Sequence, residues 1–505
     1  MTHEQHANDN GNDNVKGDTT MSAPNERVGI GRRQLFRYAG GAAVLAAGVG
    51  ATTRWFSPFS SAAVSADDAH LATIQPDRYM FLGGTDGWMG LPPTPAIPVF
   101  HPDPLAVDKG VDLTTYIFGF RNITELDAPQ RFAQKEKAQH SAPLFWVKEF
   151  DPNDLTTEFV VDITNLGLAM RPDLFDAHTL HWHGFRNVIP FFDGEPTGSV
   201  SVPAGTVFRY VYRPRDPGTY MYHCHVEDIE HVHMGMNGIV FVRPKQNGNT
   251  SYFPSGKYLY NDAPGPMAGV TGHDREYALH LSEVWAESHW ADAHIQLPEW
   301  SDYKADFGLI NGRTYPDSVA PNAPYPAGWG ETAAGTVVDG GGLPWTKPYM
   351  PVATDANGDL ATNPGLEHLQ YQPLSSLVRC MEGERVALHF SNLGFKEAAM
   401  TIDGLTMHVV GRDATLMRGR DGTDTSYKTN TISMGAGESF SVIITAPPFT
   451  GGTGSSGEGY DTYMLYNRSF VRSNNQAPGG FGGQATEIRV YPTTASIPPQ
   501  TVPNT

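Results

Sequence analysis

A short run from Tyr222 to Gly238, YHCHVEDIEHVHMGMNG, combines cysteine, histidine and methionine at close spacing. Within it are His223, Cys224, His225, His231 and Met236, and the upstream segment HTLHWHG adds His178, His181 and His183. Thiolate, imidazole and thioether ligands together select copper rather than zinc or magnesium. The two segments therefore predict a copper centre that carries out redox chemistry.

Strand geometry divides these eight residues into two sets. Both segments are rich in β-forming residues and bounded by turn signals, so each is predicted to form a strand whose alternate side chains point to opposite faces. One set holds His178 and Cys224, with His231 and Met236 from the following loop; the other holds His181, His183, His223 and His225. The first is the two-histidine, one-cysteine arrangement with an axial methionine that defines blue copper. The second is an all-histidine site suited to copper that binds an oxidant.

Two further residues lie close to this pattern. Met234 competes with Met236 for the axial position, and the five-residue step from His231 favours Met236, because a loop can return both to one metal. His233 fits the spacing of neither set and is predicted to be an ordinary loop residue.

The motifs resemble those of the multicopper oxidase family, which is built from cupredoxin domains. The family pattern is similar to HCH-x3-H-x3-GM, whereas this chain has two extra residues between His225 and His231. The resemblance implies an all-β fold of two cupredoxin-like Greek-key β-sandwich domains. It also implies copper as cofactor, in a blue type 1 site and a histidine-bound type 2/type 3-like site. The implied activity takes single electrons from a phenolic, amine or metal-ion donor and reduces dioxygen.

The second half of the chain departs from the family pattern. HVVGRD at 408–413 aligns with the end of a family histidine motif. The histidine positions of that motif hold Ala398, Thr401 and Asp403 in this chain. The place that corresponds to the second family motif, HCH, holds Leu465, Tyr466 and Asn467. This domain is therefore predicted to be copper-free, with His280, His289, His294 and His408 as ordinary histidines. The chain then supplies only half of the histidine pairs of the trinuclear centre that the resemblance implies. Either a second copy of the chain completes the centre in a homo-oligomer, or the all-histidine site is smaller. Two arrangements stay open, a symmetric contact between first domains and a ring of first and second domains.

Two other functions remain as alternatives. A copper nitrite reductase also has two cupredoxin domains, but that family resembles a pattern with aspartate at His181, a non-ligand at His225 and a histidine where this chain has Arg468. A blue-copper electron carrier would leave the histidine set empty. The number of coppers per chain separates the three.

The N-terminal region, residues 1–66, is predicted to be a disordered segment followed by a Tat export signal. Arg32 and Arg33 precede an apolar run from Ala39 to Ala51, and Val64–Ala66 offers a small-residue cleavage site. The mature protein is expected in the periplasm, at the cell surface or outside the cell, with the signal either cleaved or kept as an anchor. A copper-binding domain is predicted at 67–250 and a second cupredoxin-like domain at 275–492, with a long insertion near 300–367.

Composition limits the partners. The 505-residue chain has a net charge of −19 and an isoelectric point near 5.4, which argues against nucleic acid. A small-molecule or metal-ion electron donor is the expected partner, with dioxygen as acceptor. The chain has 2 cysteines, and a disulfide between Cys224 and Cys380 is not expected, because Cys224 is better explained as a copper ligand and Cys380 as core packing.

Overall fold

A computed structural model describes residues 76–92, 115–186, 188–451, 459–473, 475, 482–495 and 497–505. Contacts within the chain divide it into two units, Met1–Arg54 and Trp55–Thr505. Every described residue belongs to the second unit. The predicted export signal lies outside the described residues. The described part is built mainly from β-sheets with few helices, which confirms the predicted all-β class.

Two four-stranded sheets form the N-terminal half of the described chain, in the orders β2-β1-β4-β6 and β3-β8-β7-β5. Their strands are β1 Tyr79–Met89, β2 Thr115–Asn122, β3 Phe145–Lys148, β4 Phe159–Gly167, β5 His181–His183, β6 Val207–Tyr212, β7 Gly218–His223 and β8 Asn237–Arg243. Aromatic rings fill the space between the sheets: Trp182 stacks on Tyr212 with ring centroids 4.3 Å apart, and Phe145 packs on Tyr222 at 5.0 Å. This core contains Cys224 and Met236, so these two candidate ligands are buried in an apolar interior.

The C-terminal half contains a seven-stranded sheet, β12-β11-β16-β22-β18-β19 with β20 paired to β18, and a five-stranded sheet, β15-β24-β23-β17-β21. Two small hairpin-like sheets pair β9 with β10 and β13 with β14. The bounds are β9 Lys257–Tyr258, β10 Gly272–His273, β11 Arg275–Val284, β12 Phe307–Ile310, β13 Gly330–Glu331, β14 Val337–Val338, β15 Val378–Met381, β16 Arg385–Asn392, β17 Ala398–Ile402, β18 Met407–Arg412, β19 Thr415–Leu416, β20 Tyr427–Thr429, β21 Thr431–Met434, β22 Ser439–Thr445, β23 Asp461–Asn467 and β24 Ala485–Tyr491. The strand β12 lies inside the segment predicted as an insertion and pairs with β11.

Helices are short and lie between strands. They are α1 Ala128–Phe132, α2 Asp228–Met234, α3 Ala286–Ala293 and α4 Phe470–Ser473, with 3-10 turns at Pro76–Arg78, Leu155–Thr157, Pro190–Phe192, Trp300–Asp302, Asp317–Val319 and Glu367–Leu369. None of the helices in the described part of the chain is long and apolar enough to cross a membrane.

The pairing of β5 with β7 positions the two histidine-rich motifs. These strands are antiparallel, with His181 opposite His223 and Trp182 opposite Tyr222. Trp182 and Tyr222 are buried in the apolar core, which turns the flanking histidines to the other face. The register therefore gathers the histidines at the edge of the sheet.

Candidate metal centre

The first cluster joins His178, Cys224 and His231, all fully buried. The Cys224 sulfur lies 3.3 Å from Nδ1 of His231 and 4.0 Å from Nδ1 of His178. Both rings thus turn the same nitrogen toward one sulfur, and one potential ligand atom from each residue lies within 4.8 Å of the others. Two imidazoles and one thiol around a common point match the trigonal donor set that blue copper requires.

The electrostatics of the cluster favour a thiolate. Burial alone raises the pKa of the Cys224 thiol, but the neighbouring His231 and the hydrogen bonds from His178 and His231 hold that pKa well below its usual value. The backbone N–H of Thr179 also donates to the sulfur at 3.5 Å. Since the thiolate is the form that binds metal, the pocket holds the sulfur ready for copper.

Met236 returns to this cluster through the backbone. Its N–H donates to the carbonyl of His231 at 2.9 Å, and its carbonyl accepts from the N–H of Cys224 at 3.1 Å. Its side-chain methyl and the ring of His178 lie together against Gly84, each within 3.3 Å of the point where a Cβ on that glycine would stand. Met236 therefore lies beside His178 at the first cluster.

The segment between the cysteine and this methionine is not the simple loop that the sequence predicted. It forms the helix α2, and His231 lies on it. The prediction that His233 is an ordinary loop residue was wrong: it lies on α2, is buried, and its Nε2 accepts a hydrogen bond from the N–H of Trp285 at 3.1 Å. A helix turns these two histidines to different neighbours, which strand parity could not foresee.

Gly84 is the feature of this cluster that sequence reasoning missed. A Cβ at this position would meet Cδ2 of His178 at 2.7 Å, closer than carbon atoms normally approach. We expect Gly84→Ala to displace His178 or Met236, lower the copper content and shift the visible spectrum, at a stability cost of about 1–3 kcal/mol from overpacking. Copper analysis and a spectrum after reconstitution test this, with Gly198→Ala as a control, because a Cβ there meets no atom closer than 3.5 Å. An unchanged spectrum with full copper would contradict the expected crowding.

The second cluster joins His181, His183 and His223, whose ligand nitrogens lie within 4.8 Å of one another. The ring of His225 lies beside them, 5.0 Å from the ring of His181 and 5.4 Å from that of His223. The two sets predicted from strand parity are thus separate in space, and all eight residues lie in one or the other.

Hydrogen bonds orient two of these imidazoles. Nδ1 of His181 lies 2.7 Å from the carbonyl oxygen of Asp193, and Nδ1 of His223 lies 2.8 Å from that of Cys224. Each ring therefore donates through Nδ1 and keeps the lone pair of Nε2 for a metal, a common arrangement around metal-binding histidines.

Burial keeps this cluster in the state that a metal needs. Desolvation lowers the pKa of His181, and burial together with His181 and His225 lowers that of His183. The pKa of His223 falls to about 3, mainly through burial. The imidazoles of His181, His183 and His223 are therefore neutral at pH 7, and neutral imidazole is the metal-binding form.

Thr179 and Asp176 were also missed, although both lie within two residues of His178 in sequence. The Thr179 hydroxyl accepts from the N–H of His225 at 2.9 Å while its own N–H reaches the Cys224 sulfur, so it contacts both clusters. Asp176 Oδ2 lies 3.4 Å from Nε2 of His231 and orients that ring. Their positions within two residues of a predicted ligand could have marked these polar side chains as candidates for contacts with the clusters.

The C-terminal half contributes no ligand group to either cluster in the described residues. Most positions aligned with the family histidines lie on the neighbouring strands β17 and β23, and Asp403 directly follows β17. Thr401 pairs with Tyr466 and bonds the Thr431 hydroxyl at 2.7 Å, while Asp403 accepts from the Tyr466 hydroxyl at 3.1 Å. They form an ordinary hydrogen-bonded sheet. Cys380 is buried in the core of this half, and both cysteines are free.

Gly437 brings the C-terminal half against the histidine cluster. A Cβ on this glycine would stand 2.9 Å from Nε2 of His183. The contact covers part of His183 with backbone, while His181, His183 and His225 all remain partly exposed. The cluster is therefore open on one side.

Comparison with known proteins points to one family. A family model for multicopper oxidases matches residues 161–247. Copper resistance protein A of Pseudomonas syringae pv. tomato is 26% identical over 292 residues, which cover 56% of this chain and 40% of that protein. The matched region thus spans less than half of the length of that relative.

Solved structures with a similar chain path include copper proteins. The blue copper oxidase of Nitrosomonas europaea is 19% identical, with a TM-score of 0.47, over 82% of this chain and 86% of that chain. The copper nitrite reductase of the same organism is 14% identical, with a TM-score of 0.45, over 84% of this chain and 96% of that chain.

The matched segment 161–247 contains every candidate ligand of both clusters. Copper is the metal that the family uses, and the buried cysteine and histidines of the first cluster fit a type 1 copper. The predicted resemblance to the multicopper oxidase family is therefore confirmed for residues 161–247, the segment that carries the candidate ligands.

Proposed function

We propose that the protein is an exported oxidase that takes single electrons at a blue copper held by His178, Cys224, His231 and Met236. A second copper site, held by His181, His183, His223 and His225, reduces dioxygen. The electron donor is a small phenol, amine or metal ion. Copper supplies the one-electron chemistry, and the protein supplies the ligands and their geometry. Export rests on the twin-arginine segment, and the domain bounds 67–250 and 275–492 stay predictions.

One observation carries this proposal: Cys224 belongs to one cluster, and its two chain neighbours belong to the other. His223 and His225 flank it covalently, so the path from the sulfur to either imidazole runs only through the bonds of two adjacent residues. Thr179 adds a hydrogen-bonded path from the Cys224 sulfur to the backbone of His225. The clusters are thus arranged to pass electrons rather than to act separately.

Copper counting and two activity assays test the function. We expect more than two coppers per chain, with dioxygen consumed when a phenol or ferrous ion is supplied and little nitrite reduced. A single copper with no oxygen uptake would favour an electron carrier.

A nitrite reductase-like function is the second candidate. The three closest nitrogens, those of His181, His183 and His223, suit a single copper with three imidazole ligands, and such a site binds one small oxidant. Two coppers per chain with nitrite reduction and no oxygen uptake would select this alternative.

We also propose that the active form is a homo-oligomer. The histidine cluster is partly exposed, and the contact with Gly437 adds backbone but no ligand. A second copy that supplies its own imidazoles would close the site and complete a multinuclear centre. The ring arrangement stays open as the alternative to a symmetric contact between first domains.

Dilution tests the shared site. As the assembly dissociates, copper per chain and oxygen consumption are expected to fall together, because a half-built centre is open to water and holds copper weakly. Light scattering gives the mass at each concentration, and the blue absorption serves as an internal control, since its ligands come from one chain. Full oxygen consumption by a monomer would overturn this proposal.

A further inference from the structure

The helix α2 carries His231 of the first cluster but is too short to fix its own position. It spans seven residues, Asp228–Met234, and no side chain caps its N-terminus at Glu227. Isolated helices shorter than about 12–15 residues are marginal in water, so tertiary contacts decide where such a helix lies. The position of His231 therefore depends on what holds α2 against the rest of the protein.

One contact runs from α2 through Asn237 to His280 in the C-terminal half. The side-chain amide of Asn237 donates to the carbonyl of Val232 in α2 at 2.7 Å. Its oxygen lies 2.6 Å from Nε2 of His280, and Nδ1 of His280 lies 2.8 Å from the hydroxyl of Ser391. All of these side chains are buried, and Asn237 directly follows the candidate ligand Met236. These hydrogen bonds tie the turn between α2 and β8 to the strands β11 and β16.

The ring of His280 can take part in this chain of hydrogen bonds in one form. Burial lowers its pKa to about 3, so the ring is neutral at pH 7 and carries one proton. The side-chain oxygen of Asn237 can only accept, which places that proton on Nε2, and Nδ1 then accepts from the hydroxyl of Ser391. Removal of the ring would leave the buried oxygen of Asn237 without this donor, at a cost in free energy.

A second contact starts from α2 itself. Nε2 of His233 accepts from the backbone N–H of Trp285 at 3.1 Å. The His233 ring also lies against three aromatic rings of the C-terminal half, with centroids 5.5, 5.4 and 5.4 Å away, those of Trp300, Tyr303 and Phe395. The C-terminal half thus contacts α2 at two points, although none of its described residues belongs to either cluster.

We propose that His280 is a positioning residue for the blue copper site: through Asn237 it fixes the segment that carries His231 and Met236. The inference rests on the proposed function, because it takes these two residues as copper ligands. His233 holds the same segment from the helix itself. The C-terminal half is thus assigned a task that needs no copper of its own, which is to keep the geometry of the blue site.

Spectra of the copper-loaded protein test the positioning. We expect His280→Ala to shift the visible band and the copper hyperfine splitting in the EPR spectrum, because the released segment changes the geometry of the ligands around copper. His280→Gln should restore the parent spectrum, since its amide N–H can donate to Asn237 from the place of Nε2. Two variants extend the test where His280→Ala does not fold. His233→Leu removes the acceptor for the N–H of Trp285, and Ser391→Ala removes only the donor to Nδ1, so both should also shift the spectrum.

His273→Ala is the matched control. His273 is a buried histidine of the same half, and its ring nitrogens lie 3.2 Å from the carbonyl oxygen of Thr271 and 3.9 Å from the carboxylate of Glu276, both in that half. The variant should lose stability, as His280→Ala should, and yet keep the parent spectrum. A shifted spectrum in His273→Ala, or the parent spectrum in His280→Ala, would overturn the positioning role.

Hydrogen exchange of the copper-free chain separates this inference from the proposed function. The amides of α2 should exchange about tenfold faster in His280→Ala than in the parent, because loss of a buried hydrogen bond favours local opening. His280→Gln and His273→Ala should stay close to the parent rate. If the parent binds copper without blue absorption, the proposed function fails, while faster exchange of α2 in His280→Ala would still support the positioning contact. Equal exchange of α2 in the parent and in His280→Ala would overturn that contact.

Discussion

Cys224→Ser is expected to abolish the intense visible absorption of the oxidised protein completely. That absorption arises from charge transfer between a thiolate sulfur and copper, and serine supplies no sulfur. The variant should also lose electron uptake from every donor, because the path to His223 and His225 begins at this sulfur. Visible and EPR spectra of the copper-loaded protein are the measurements.

Cys380→Ser is the matched control. Cys380 is equally buried and free, but it lies in the core of the C-terminal half. Its replacement should leave the colour intact and lower stability alone. A blue colour that survives in the Cys224 variant would remove the basis for the first cluster as a blue copper site.

His183→Ala and His225→Ala are expected to lower oxygen consumption at least about 100-fold, since even residues that only support a ligand are worth 10–100-fold. The blue absorption should persist in both variants, because neither ring faces the Cys224 sulfur. Stopped-flow reduction of the blue copper by the donor should remain fast, while its reoxidation by dioxygen should stop.

His408→Ala is the control for these two variants. His408 lies on β18, half-buried, with Nε2 2.7 Å from the hydroxyl of Ser426 and no place in either cluster. It should retain oxygen consumption. If both cluster variants lose their colour while they stay folded, the division into two separate sites is wrong.

Much of the site could be predicted from residue type and parity. The alternation of His181, Trp182 and His183 along β5 sorts side chains by face in any half-buried strand, and the structure brings the two predicted sets together as separate clusters. The same rule fails beyond the strand end. His231 and His233 lie on α2, where the repeat is 3.6 residues rather than two, so they turn to different neighbours.

The sequence by itself indicated the metal, since the order and type of the eight candidate ligand residues favour copper. It also determined the all-β class, through strand-forming segments broken by turns. Only the tertiary structure decided what surrounds the candidate ligands: Gly84 against His178, Asp176 on His231 and Gly437 against His183. The reason is physical. Ligand spacing is local in the chain, whereas these contacts join residues far apart in sequence and exist only after the sheets have packed.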